Sequence, residues 1–297
     1  MRHPPWIKSK APAGPEYEEV KSLVGSARLH TVCQSANCPN IGECWRERTA
    51  TFMILGDVCT RNCRFCAIKH AGNGAGMAYP GPTLEEPGAT LNAVDEDEPR
   101  RVADAVKRLG LKHAVITSVT RDDLTDGGAG IFAETVRAIH EVVPGCSVEV
   151  LIPDFQGSQE ALRRVIESGP EILNHNVETV ERCYPLMRPQ ADYRRSIELL
   201  AAAKRIDPRM RTKSGLMVGA GETWEEVIQT MRDLRSADCD VLTIGQYLAP
   251  SPGHVPIARY YTPDEFSQLR QIGLDLGFGY VESGPLVRSS YHAARAR

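Results

Sequence analysis

No apolar run in this sequence approaches the roughly 20 residues that a membrane span needs. The first residues, Met1 to Gly14, also lack the apolar core of a secretory signal. Arg2, Lys8 and Lys10, with no acid before Glu16, give this stretch a faint transit-peptide composition, but Pro4, Pro5, Pro12 and Pro15 oppose the amphipathic helix such a peptide needs. A basic excess is missing as well. The formal net charge is -3, so no global positive field marks a nucleic-acid footprint. The expectation is a cytoplasmic chain that meets small molecules or proteins, with neither a nucleic-acid nor a membrane partner.

The spread of cysteines typical of a disulfide-stapled secreted domain is absent too. Nine cysteines are an odd number, and six of them fall between Cys33 and Cys66, while Cys146, Cys183 and Cys239 are scattered. Such clustering points to metal. With 297 residues, 42% hydrophobic and 25% charged, the composition is that of a globular chain with one large core and small appendages.

From Thr51 onward, short apolar runs alternate with amphipathic stretches. Strands are predicted at Thr51–Gly56, His113–Val119, Ser147–Pro153, Ile172–Val177, Thr212–Val218 and Val241–Tyr247. Helices are predicted at Pro99–Leu109, Gly130–Val143, Ser158–Ser168, Tyr193–Ile206, Thr223–Ser236 and Pro263–Leu276, with Pro99 as a start signal and Gly110 and Gly169 as stops. Six strand–helix units in series imply a parallel sheet, either doubly wound or closed toward a barrel, and periodicity does not decide between them. In both cases ligands bind beyond the C-terminal strand ends. Two regions break the rhythm. Residues 1–50 read as a loop-and-short-helix extension. Residues 71–98, rich in Gly, Pro and acids, read as an inserted loop, more simply a solvated excursion than a lid.

Directly after the first predicted strand comes Cys59-Thr60-Arg61-Asn62-Cys63-Arg64-Phe65-Cys66. Three thiolates at C-x3-C-x2-C spacing can ligate three irons of a cubane and leave the fourth open. Cys63-x2-Cys66 alone would suit zinc, but structural zinc wants four ligands, usually as two close pairs. The triplet resembles that of radical S-adenosylmethionine (SAM) enzymes, in which the amino and carboxylate groups of SAM chelate the open iron and reductive cleavage gives a 5'-deoxyadenosyl radical. Phe65 resembles the aromatic that packs near adenine. Another triplet, Cys33, Cys38 and Cys44, comes first along the chain, has C-x4-C-x5-C spacing and is again one thiolate short. Two clusters are therefore implied rather than one; the alternative is three buried structural thiols.

The segment from His30 to Trp45 resembles the auxiliary-cluster motif of lipoyl synthases. So do Ala50–Asp57, Thr117–Leu124 with Asp126–Ala129, Asn174–Thr179, Lys213–Gly219, Gly245–Leu248 and Ser283–Tyr291, a similarity covering nearly the whole chain. The resemblance implies a partial (β/α)6 TIM-type barrel at residues 51–280, an N-terminal cluster-binding extension at 1–50, and a C-terminal tail at 281–297 closing over the site. It also implies two 4Fe-4S clusters, with Ser290 of Arg288-Ser289-Ser290-Tyr291 as the fourth ligand of the auxiliary one. A hard alkoxide among soft thiolates makes a natural corner for losing iron and releasing sulfide.

The implied reaction is insertion of two sulfur atoms at C6 and C8 of an octanoyl chain on a carrier protein, either the E2 component of a 2-oxoacid dehydrogenase or the H protein of glycine cleavage. A ferredoxin or flavodoxin would donate electrons, and an iron–sulfur carrier would repair the sacrificed cluster. By strand-end position and resemblance, Thr117, Asn174 and Glu178 are expected to contact SAM, with Arg188 and Lys213 as weaker candidates; each also has a capping or strand-end reading. His175 reads as a packed strand-end histidine. The sequence departs from the family where Ala71–Val94 replaces a short loop before Asp-Glu-Pro-Arg-Arg. The rival readings are a biotin-synthase-type sulfurtransferase and a non-catalytic iron–sulfur electron carrier.

Overall fold

The computed structural model describes residues 3–9, 11–36, 38–46, 50–71, 89–291 and 293. The N-terminal extension begins with helix α1 (Pro15–Ser26), opened by Pro15 and buried along Val20, Leu23 and Val24. Strand β1 (His30–Thr31) follows, then α2 (Val32–Ser35), whose cap is Thr31 Oγ1 accepting from the Gln34 amide at 3.3 Å, then α3 (Ile41–Arg46). Trp45 of α3 is fully buried, and its ring centroid lies 5.1 Å from that of Tyr17 on α1.

The barrel proper starts at β2 (Thr51–Ile54), every residue of which is buried. Two short strands, β3 (Val58–Cys59) and β4 (Lys69–His70), bracket the second cysteine triplet. Next come α4 (Glu98–Leu109), β5 (His113–Ser118), α5 (Ala129–Val142), β6 (Ser147–Leu151), α6 (Gln159–Ile166), β7 (Ile172–Asn174) and the single turn α7 (Tyr184–Met187). The chain then runs through α8 (Tyr193–Ile206), β8 (Arg211–Val218), α9 (Trp224–Ser236), β9 (Val241–Gln246), α10 (Pro263–Asp275) and β10 (Tyr280–Gly284). The helix ends follow local chemistry. Thr223 with Glu226, and Thr262 with Glu265, form reciprocal capping boxes, and Gly110 takes the left-handed conformation that closes α4.

One sheet holds eight strands in the order β1-β2-β5-β6-β7-β8-β9-β10; only the β1–β2 pair is antiparallel. Among the described residues β1 and β10 do not pair with each other, so the barrel is incomplete, as the family resemblance implied. All six expected strand–helix units are present. A seventh parallel strand, β10, was not read from the sequence: Tyr-Val-Glu-Ser-Gly offers one buried apolar side chain, Val281, and no alternation. The expected boundary between barrel and tail at 280/281 falls inside this strand. The expected extension at 1–50 also joins the sheet, through β1. Most of the expected insert at 71–98 lies outside the described residues, since 72–88 are not described.

Candidate functional site at the barrel mouth

Beyond the C-terminal end of β2 the chain turns through Leu55 and Gly56, both in the left-handed region (φ 68° and 89°), with the Leu55 amide donating to Glu98 Oε2 at 2.7 Å. That turn leads into β3 and Cys59. The Cys59 sulfur accepts two backbone N–H groups, from Arg61 at 3.4 Å and Thr120 at 3.3 Å. The Cys66 amide donates to the Cys63 carbonyl at 3.0 Å, so the last two thiols share one tight turn.

Arg61, between the first two cysteines, is buried. Its Nε and Nη2 donate to Asp122 at 2.7 and 2.9 Å, and Nη2 also reaches Asp154 at 2.6 Å. Asp122 follows β5 and Asp154 follows β6, so this clamp fastens the cysteine loop to two strand ends. Arg195 approaches Asp154 from the other side at 3.2 Å. Burial pushes the Cys63 thiol up, with Arg188 opposing and Cys59 and Glu178 adding to the rise; burial pushes Cys66 up to about 12. Thiols so disfavoured as anions in the protein alone suit a bound cation that takes their charge.

Glu178 is held in the left-handed region (φ 65°), a conformation costing about 1–3 kcal/mol for a non-glycine residue. Bonds to β8 on both sides impose it: its amide donates to the Gly215 carbonyl at 2.9 Å and its carbonyl accepts from Met217 at 2.8 Å. The Asn176 amide donates to its carboxylate at 3.0 Å, and Asn176 Oδ1 lies so close over Gly215 that a Cβ there would stand 2.7 Å away. Arg188 gives Nη1 to the carbonyls of Asn176 and Val177 at 3.1 and 3.3 Å. Ser118 Oγ, Asn176 Oδ1 and Arg188 Nε are buried without a hydrogen-bond partner, a set of orphaned polar atoms that fits a polar cofactor such as SAM.

The first triplet lies at the junction of extension and tail. Cys33, Cys38 and Cys44 line one cavity with Ser290, joined by Asn40, Thr51, Arg288 and Tyr291. Asn40 Nδ2 donates to the Leu286 carbonyl at 2.7 Å, and the Tyr291 hydroxyl to Glu43 at 3.1 Å. Burial pushes the Cys33 thiol up to about 11 and raises Cys38 as well. Three soft sulfurs and one hydroxyl facing a common space form a donor set that fits an iron–sulfur cluster. Among the described residues no three His, Cys, Asp or Glu side chains are placed to hold a single metal ion. A cubane needs no such convergence, because each thiolate binds a different iron.

The expected SAM contacts divide. Glu178 and Arg188 lie within electrostatic reach of Cys63, and Phe65 packs half-buried against the core. The Thr117 hydroxyl donates to the Leu151 carbonyl at 2.9 Å, which is its strand-end role. Lys213 is committed elsewhere: its Nζ lies 2.9 and 3.0 Å from the two oxygens of Glu149, fully buried, and the Asn174 amide donates to the same carboxylate at 3.0 Å. Both residues are bonded to the buried Glu149, Lys213 as its ion-pair partner and Asn174 through its amide nitrogen while its Oδ1 has no partner, an arrangement the sequence does not announce because Glu149 reads as the polar break in an apolar strand. His175 is a packed histidine, with Nδ1 2.9 Å from the Ile152 carbonyl and Nε2 3.0 Å from Ser196 Oγ. Reading the sequence missed the Arg61 clamp, although an arginine inside a cysteine loop followed downstream by Asp122 and Asp154 was the available signal.

A partial parallel barrel with a cysteine triplet after its first strand defines a radical SAM protein, and residues 53–234 match the radical SAM superfamily. Residues 1–38 match the N-terminal domain of lipoyl synthase of the radical SAM family. Lipoyl synthase from Rubrobacter xylanophilus is 57% identical over 290 residues, covering 98% of this chain and 85% of that protein. The enzyme from Caldanaerobacter subterraneus subsp. tengcongensis is 53% identical over 293 residues, covering 99% and 96%. The chain belongs to the lipoyl synthase family, and is thus a sulfurtransferase enzyme that uses SAM and 4Fe-4S chemistry in lipoate biosynthesis. Among solved structures, methylornithine synthase is similar at a TM-score of 0.55 and 15% identity, covering 89% of this chain and 77% of that one. SuiB of Streptococcus suis bound to S-adenosylmethionine gives 0.57 at 10% identity, covering 83% and 54%. These two likenesses concern the fold alone. No helix among the described residues is long and apolar enough to cross a membrane.

Proposed function

We propose that Cys59, Cys63 and Cys66 hold one 4Fe-4S cluster beside SAM, and that Cys33, Cys38, Cys44 and Ser290 hold a second, which is consumed as sulfur donor. The substrate is an octanoyl chain on a lysine of a carrier domain, sulfurated at C6 and C8. The observation that carries this reading is the cavity that Cys33, Cys38 and Cys44 share with Ser290, brought together from opposite ends of the chain.

When bound, SAM and the clusters supply the hydrogen abstraction and the sulfur that no side chain in the molecule can provide. The chain's own residues do the rest. Arg61, fixed by Asp122 and Asp154, holds the Cys59–Cys66 loop, and the amides of Arg61 and Thr120 stabilise negative charge on the Cys59 sulfur. Glu178, Asn176 and Arg188 offer an acid, an amide oxygen and a guanidinium for orienting the amino-acid and ribose portions of SAM. The carrier is an octanoylated E2 or H-protein domain, the electron donor is of ferredoxin or flavodoxin type, and an iron–sulfur carrier rebuilds the spent cluster. The setting is cytoplasmic, in keeping with buried thiols that need a reducing compartment.

Anaerobically reconstituted protein, supplied with SAM, a one-electron donor and an octanoylated carrier, is expected to contain about eight irons per chain and to yield lipoyl carrier. A four-iron protein that cleaves SAM but leaves the carrier unsulfurated would defeat the reading.

A further inference from the structure

A positively charged side chain from the tail lies against the strand ends. Arg288 donates Nη1 to the carbonyls of Val287 at 2.7 Å and Gln246 at 3.3 Å, which pins its guanidinium to the end of β9. The tail can lie there because position 245 carries no side chain: a Cβ would run into the Val287 carbonyl and stand 3.2 Å from Arg288 Nη1. From this perch Arg288 borders the cavity of the first triplet and faces Cys38 within it. Its charge also acts on Glu178 of the barrel mouth, opposing the rise that burial gives that carboxyl. Arg188 acts on Glu178 in the same way, and Cys63 of the second triplet acts on Arg188. Once the thiols are thiolates, the order Cys63, Arg188, Glu178, Arg288, Cys38 alternates in sign from one triplet to the other. Burial works against the charge on Arg288, but a guanidinium keeps its proton in a protein.

We propose that Arg288 is a positioning residue shared by the two thiol sites, a fixed cation between Cys38 and Glu178 that docks the tail and sets the reduction potential of the cluster held by Cys33, Cys38, Cys44 and Ser290. The proposal rests on the two-cluster reading given above. A cluster gains negative charge on reduction, so a nearby cation stabilises the reduced form and raises the potential; removing it lowers the potential. Lysine keeps the charge but lacks the planar guanidinium whose Nη1 is shared between the two carbonyls, so it restores the potential more fully than the tail docking.

The test uses the full chain with Cys59, Cys63 and Cys66 all changed to alanine, so that one cluster gives the signal. Iron content and an EPR-monitored redox titration are compared for this background, Arg288→Gln and Arg288→Lys. The expected result is about four irons in the background, a more negative midpoint in Arg288→Gln, and a midpoint returned toward the background in Arg288→Lys. An unchanged midpoint in an iron-replete Arg288→Gln protein overturns the proposal. If Arg288→Gln loses its iron, Arg288→Lys decides: recovery of iron and midpoint supports the shared cation, and equal loss overturns it. A background protein without iron, before Arg288 is touched, would instead defeat the two-cluster reading beneath the proposal.

Discussion

Tyr291 donates its hydroxyl to Glu43 at 3.1 Å, across 248 positions of chain, and fastens the C-terminal tail to the N-terminal extension. The Asn40 amide, 2.7 Å from the Leu286 carbonyl, is the second stitch. Together they close the cavity of Cys33, Cys38 and Cys44 over Ser290.

Tyr291→Phe removes one hydrogen bond, worth about 0.5–1.5 kcal/mol, whereas Asn40→Ala also strands the Leu286 carbonyl and costs about 1–3 kcal/mol. Both variants are expected to release iron from the first-triplet site to a chelator faster than the wild-type protein, Asn40→Ala more so, with SAM cleavage retained. Wild-type release rates in both would mean that other contacts hold the tail.

Burial pushes the Asp154 carboxyl up, but the Arg61 guanidinium pulls it further down, leaving it well below the ordinary carboxylate range. Ionised Asp154 therefore favours the folded state at any pH above its unfolded value, about 4, and that contribution drains away as pH falls toward the depressed folded value. Arg61→Gln is expected to lose about 3 kcal/mol at neutral pH by taking the nearer cation from a buried carboxylate that keeps Arg195 at 3.2 Å. Denaturant titrations should show a wild-type advantage that is constant down to about pH 4 and shrinks below it. An advantage independent of pH throughout would contradict the clamp.

The barrel was legible in the sequence because each of its first six strands carries at least two buried apolar residues, from Thr51–Ile54 to Val241–Gln246, and several intervening helices carry caps written in local residues. The thiol triplets were legible from spacing alone. What spacing did not reveal was contact between distant segments. Glu149 and Lys213 sit 64 positions apart and form a pair only once β6, β7 and β8 are aligned. Arg61 meets Asp154 for the same reason, and β10 is a strand by virtue of pairing with β9 rather than by its own pattern.

The Glu149–Lys213 pair offers a way to separate structural from cofactor roles. Lys213→Met leaves a fully buried carboxylate with the Asn174 amide at 3.0 Å and His113 at 3.8 Å but without its lysine, and is expected to cost about 3–5 kcal/mol. Adding Glu149→Leu should recover most of that loss, because a buried ion pair can be replaced by apolar groups of similar volume. SAM affinity of the recovered double variant, measured by equilibrium binding, is expected to match wild type. A stable double variant with weakened SAM binding would return Lys213 to the cofactor.

Ser290 bears on the central claim, that the first triplet and the tail hold a cluster that is spent. Ser290→Cys leaves Cys59, Cys63 and Cys66 untouched and replaces a hard oxygen by a softer, tighter ligand. The decisive measurement is the ratio of lipoyl carrier to 5'-deoxyadenosine formed by anaerobically reconstituted Ser290→Cys protein holding both clusters. The account predicts 5'-deoxyadenosine with little lipoyl product; a wild-type ratio would contradict it and reduce Ser290 to a polar residue of the tail.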